Sequence, residues 1–180
     1  MTFTIAHRLS MAGLLLATVG LPEAAPAQHR LPTIVSSVRA DSLHEAAVAY
    51  EEARRLRDAA RLHRRSAELR PAEDPLGYRC LTEAAAFAYH TGDLSTARRD
   101  MAKAAEHALA RGDIRSAALA YLDGAWIAQE QKNRRQVWEL GHRAEMLAES
   151  PLLAAADRDA INQRIRRVPE SMRLAMRTEP

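Results

Sequence analysis

Residues 89–109, "YHTGDLSTARRDMAKAAEHAL", carry the fold in miniature. Thr91-Gly92 ends one helical run and Asp93 caps the next, because glycine tolerates the left-handed turn and a short carboxylate satisfies the free amides of a helix start. Small residues then recur on one face of the second run, at Ala97 and Ala104. A methyl group in place of a leucine side chain lets two helix backbones approach closely. Such a surface is built for helix against helix.

The same logic extends outward. Of 180 residues, 37 are alanine and only 7 glycine, with aromatics at 4%. Alanine, leucine, arginine and glutamate carry the lowest helix cost, β-branched residues are few, and no long segment alternates apolar with polar. The expectation is an all-α chain of one-domain size.

Residues 1–27 read as a signal peptide. Arg8 precedes an apolar run from Met11 to Leu21, and Ala25-Pro26-Ala27 has the small-x-small form of a cleavage site. The run is shorter than the about 20 residues a membrane span needs, so no integral span is expected in the mature chain. The protein is then exported, to the periplasm or cell envelope or beyond, and begins near Gln28. Its net charge stays at +3 after removal, since one Arg and one Glu leave together. That mild bias is not the footprint of a nucleic-acid binder. The single cysteine, Cys80, allows no intramolecular disulfide. Taken alone it reads as a small buried hydrophobe with no thiolate metal site.

Residues 28–40 read as a linker, and Ser42 with Glu45 has the spacing of a capping box that opens the first helix. The run up to Pro71 reads as two helices with a tight turn near Arg55 to Arg57. "PAEDPLG" breaks the chain, and Pro75 suits the first position of the next helix. Further helices are expected to His90, from Asp93 to Arg111, from Asp113 to Gln131, after Lys132-Asn133, and from Leu152 to Val168. Residues 169–180 read as a short tail. Short loops make successive helices antiparallel.

Aligning Ala60, Ala97 and Val137 also aligns Ala67, Ala104 and Ala144, and each unit ends in a break at Pro71, Gly112 or Pro151. The intervals of 37 and 40 residues lie near the period of about 34 of a tetratricopeptide repeat. The middle unit resembles that family through Leu81, Ala84, Ala85 and Ala88, the Gly92-Asp93 turn, and Ala97, Met101 and Ala104. Tyr121, Gly124, Ala125 and Ala128 fit in the third unit, and only Ala60, Ala67 and Pro71 in the first. The resemblance implies hairpins stacked as an α-solenoid of about three repeats over residues 41–168, closed by a C-terminal capping helix. It also implies a non-enzymatic scaffold that binds a protein or peptide partner in a groove. The groove positions carried over are Arg79, Thr82, Tyr89 and His90 from the middle unit and Leu122, Trp126, Gln129 and Glu130 from the third, with Ser42 and Glu45 offered by the first. Trp138, on a second helix, is expected in the core. The Lys/Asn set that clamps a C-terminal carboxylate in some members is missing.

No catalytic or cofactor pattern stands out. No two histidines share a helix at four-residue spacing, and HExxH, GxSxG and phosphate-loop patterns are missing. Each histidine reads as a half-exposed helix residue, and no cofactor or metal is expected. An alternative role rests on Arg54, Arg57, Arg61, Arg64 and Arg65, which at three- and four-residue steps would form a basic stripe. Such a face suits a peripheral contact with anionic membrane or envelope polymer, with Arg164, Arg166, Arg167 and Arg173 as a possible extension.

Overall fold

The computed structural model describes residues 30–179, with side chains from Val35 onward. The expected signal peptide lies outside the described residues. Among those described, the chain forms eight helices and no strand: α1 (Arg30–Glu52), α2 (Leu56–Glu68), α3 (Pro75–His90), α4 (Leu94–Ala110), α5 (Ile114–Glu130), α6 (Arg134–Ala148), α7 (Ala155–Arg167) and α8 (Glu170–Arg177).

One turn design is used again and again. The amides of Asp93, Asp113 and Asn133 reach back to the carbonyls of Ala88, Ala108 and Ala128 at 2.8, 2.9 and 2.9 Å. In between sit residues in the left-handed region: Gly92 at φ 82°, Gly112 at φ 73° and Lys132 at φ 57°. The side chains of the same Asp and Asn residues then accept from the amides of Thr96, Ser116 and Gln136. Each turn thus closes one helix and opens the next within a few residues. Arg54 at φ 59° closes α1 in the same way, where the Arg55 amide bonds the Tyr50 carbonyl at 2.8 Å, but no side chain caps the start of α2. The first run is therefore two helices, with its turn at Ala53–Arg55, slightly ahead of the expected place. Pro75 opens α3 and the Asp74 carboxylate caps it at 2.8 Å.

From α1 to α6 each helix packs on its neighbours in sequence, while α7 lies on α5 and α8 on α6. The result is an all-α, solenoid-like array of three hairpins closed at its C-terminal end. The aligned small residues Ala60, Ala67, Ala97, Ala104, Val137 and Ala144 are all buried between helices. A buried methyl stabilises by only about 0.8 kcal/mol, so polar ties help fix the helices. Arg64 of α2 grips the buried Asp100 of α4 through Nε and Nη2 at 2.8–3.1 Å. Arg70 joins Asp41 of α1 to the α3 cap Asp74, and Arg98 of α4 bonds Gln136 of α6.

Four expectations need correction. The stretch read as a linker is mostly helical from Arg30, because Ala40 and Ala47 are buried in the array and the Ala40 carbonyl accepts from the buried Ser66 hydroxyl at 2.7 Å. Ser42 consequently sits inside α1 and bonds the Val38 carbonyl, so it caps nothing. The supposed tail forms α8, whose Met172, Ala175 and Met176 are buried. Pro169 is its N-cap residue; an ideal Cβ on Gly141 would meet Met176 Cγ at 2.3 Å, so only glycine admits this contact. Trp138, expected in the core, is only half-buried, because its indole stacks on the exposed His142 with centroids 5.7 Å apart.

Candidate functional site

The first helices of successive hairpins, α3 and α5, face a common space that α7 completes. There they line a cleft of about 810 Å³. Small residues open it: Ala85 and Ala86 on α3 leave room that larger side chains would fill. Leu119, Leu122 and Ile127 of α5 and Val168 beyond α7 supply further apolar walls.

Trp126 is 41% exposed and lines this cleft, so it is not a core residue. Its indole Nε1–H donates to Glu130 Oε1 at 3.1 Å, and the Tyr89 hydroxyl donates to the same oxygen at 2.7 Å. One carboxylate from α5 therefore orients two aromatic side chains on different helices. The bond to Glu130 also raises the Tyr89 phenol above the ordinary tyrosine range, keeping it a donor.

The rim is basic. Arg115 pairs with Asp157 of α7 at 3.2 Å, and Arg164 of α7 reaches Asp123 of α5. Asp123 is half-buried on the cleft wall, and desolvation there raises its carboxyl pKa against the opposing pull of Arg164. Arg167 and His90 are exposed on the same rim, and Arg167 enters no ion pair among the described residues.

Of the groove residues expected from the sequence, Tyr89, His90, Leu122 and Trp126 line the cleft together, with Leu122 buried. Glu130 stands behind them as the shared acceptor. Arg79 lies nearer the start of α3 and pairs with Glu83 at 2.8 Å, and Thr82 donates to the Arg79 carbonyl. Neither lines the cleft, and nor does Gln129. Ser42 and Glu45 are exposed on α1, away from it. The sequence does not place Met101 of α4 or Gln163 of α7 in this cleft, and it assigns Arg164 and Arg167 of α7 to an extension of the basic stripe instead.

Of the basic stripe, Arg57, Arg61 and Arg65 stand exposed at four-residue steps on α2. Arg54 belongs to the turn, Arg64 is held by Asp100, Arg61 pairs with Asp58 at 3.4 Å and Arg65 with Glu68 at 2.9 Å.

A second polar cluster lies at the other end of the array. His44 of α1, His63 of α2 and Cys80 of α3 bring one ligand-type atom each to within 4.8 Å of one another. His63 is fully buried, against the half-exposed setting expected for every histidine. Burial lowers its imidazole pKa below the ordinary range despite nearby Glu83, and burial raises the Cys80 thiol. Cys80 is buried as expected, but its surroundings include His44 and Ser66 as well as alanines.

No helix among the described residues is long and apolar enough to cross a membrane. No protein-family model, curated protein or solved structure matches the chain.

Proposed function

We propose that the chain is a non-enzymatic, tetratricopeptide-repeat-like scaffold of the cell envelope that holds a peptide segment of another protein in the cleft between α3, α5 and α7. The observation that carries this reading is Trp126: a large indole exposed on a cleft wall, with its N–H fixed by Glu130. Rigid aromatic side chains beside arginine are the usual anchors of protein interfaces. The volume falls within the about 300–1,000 Å³ of ligand sites. Envelope location rests on residues 1–27, and the repeat class on the recurring Gly-Asp turn and the buried alanine positions.

The chemistry of the walls defines the segment. An aliphatic or aromatic residue fits against Ala85, Leu119 and Trp126, and an acidic neighbour meets Arg167 and Arg115 at the rim. The alternative contact with anionic membrane or polymer rests on Arg57, Arg61 and Arg65, since Arg64 is engaged by Asp100 within the array.

The test is selection of a random displayed peptide library on the chain from Gln28, counter-selected on Trp126→Ala. Enriched peptides should pair an apolar anchor with an acidic residue. They should bind the wild type more weakly at high salt while keeping a salt-resistant apolar component. Peptides that bind the Trp126→Ala chain equally well would refute the cleft as the site.

A further inference from the structure

The cluster at the N-terminal end has the composition of a metal site, and its three ligand-type atoms lie within 4.8 Å of one another. His44 Nδ1 lies 3.5 Å from Cys80 Sγ. An imidazole nitrogen and a thiolate sulfur bound about 2.0 and about 2.3 Å from one tetrahedral ion are themselves about 3.5 Å apart. His63, with no exposed surface, has neither ring nitrogen hydrogen-bonded. A buried imidazole left without partners is costly, and the great majority of buried polar groups are satisfied. A metal ion would take up that lone pair.

The surroundings support the same reading. Glu83 Oε2 lies 3.3 Å from His63 Nδ1 without hydrogen-bond geometry, and Glu83 Oε1 is held by Arg79 at 2.8 Å. A carboxylate beside a ligating imidazole is the usual means of fixing its ring and tautomer. On the cysteine side, Ser66 Oγ sits 3.7 Å from Sγ, anchored by its own bond to the Ala40 carbonyl.

We propose that His44, His63 and Cys80 bind a thiophilic d10 cation, Zn²⁺ or Cu⁺, which ties α1 to α2 and α3. Two imidazoles and one thiolate select such ions over the oxygen-seeking Mg²⁺ and Ca²⁺. Glu83 acts as the outer carboxylate that orients His63. Metal binding would clamp the first hairpin to the second, at a part of the array separate from the Trp126 cleft, so peptide capture and metal binding are separable properties.

The experiment uses the untagged chain from Gln28, stripped with chelator and kept reduced, then given Zn²⁺ or Cu⁺ in separate arms and desalted. The wild type should retain about one equivalent, since the trio makes a single site, and its melting temperature should rise. Cys80→Ser and His44→Gln should each weaken retention at least tenfold, as expected for loss of a ligand, with circular dichroism confirming that both stay helical. Retention of Zn²⁺ identifies the zinc form, and retention of Cu⁺ alone the cuprous form. Co²⁺ added to the wild type gives a readout that needs no variant: a thiolate-to-metal charge-transfer band. The proposal fails if neither ion is retained and no such band appears, or if folded variants hold as much metal as the wild type.

Discussion

Arg64 and Asp100 form a two-pronged ion pair between α2 and α4, with three contacts at 2.8–3.1 Å and the aspartate side chain only 3% exposed. This joins the first hairpin to the second, beside the buried alanines Ala60, Ala67, Ala97 and Ala104. Removing one partner strands the other charge. Asp100→Ala should therefore lower the unfolding free energy by about 3 kcal/mol in urea titrations. The double change Arg64→Met with Asp100→Leu should recover most of it, because no unpaired charge remains.

Trp126 should separate binding from folding. Trp126 is 41% exposed and donates to Glu130 on its own helix, so its replacement by alanine should lower the unfolding free energy by only about 1 kcal/mol. Affinity for a selected peptide should fall by about 2 kcal/mol, the scale of an interface anchor. Calorimetric titration and urea melts on the same preparation check both. A collapse of stability would instead make the indole a structural element.

Gly141 admits α8. Its absent side chain makes room for Met176, whose Cγ would lie 2.3 Å from a Cβ at that position. Gly141→Ala should destabilise by about 1–2 kcal/mol, overpacking outweighing the helix gain of alanine. Proteolysis near Pro169 should accelerate as α8 lifts from α6. Adding Met176→Ala should relieve much of the effect.

The helix-capping aspartates predict an acid limb. Asp93 is held below the ordinary carboxylate range by the Thr96 side chain and amide. Asp113 is also lowered: burial pushes it up, but the Ser116 hydrogen bonds and Arg111 outweigh that. Lowered pKa values in the folded state mean that the contribution is present above the unfolded value of about 3.9 and is lost as pH falls from there through the folded values. Asn caps a helix as well as Asp, and the chain already uses Asn133 in the equivalent turn. Asp93→Asn with Asp113→Asn should thus leave stability at pH 7 nearly unchanged and flatten the limb below about pH 4.

What was legible in the sequence was mostly punctuation and small-residue spacing. Gly92-Asp93 and Gly112-Asp113 announce their turns because few residues serve there, and every aligned position from Ala60 to Ala144 is buried. Tyr89, His90, Leu122 and Trp126 converge because they occupy related places on α3 and α5. Residues 28–40 read as a linker because proline and β-branched residues disfavour a helix, whereas packing of Ala40 and Ala47 supports one from Arg30. The contribution of α7 to the cleft had no repeat counterpart to announce it. His44, His63 and Cys80 stayed hidden for a different reason: they stand on three helices, so no spacing within one helix reveals them.

Seams lined by alanine have a thermal consequence. They remove less apolar surface from water per residue than leucine-rich cores do, and it is apolar hydration that gives unfolding its positive heat capacity. The value for this chain should fall below the about 12–15 cal/mol/K per residue of ordinary domains. Its stability curve is then shallow, varying little between cold and warm surroundings until the helices themselves melt.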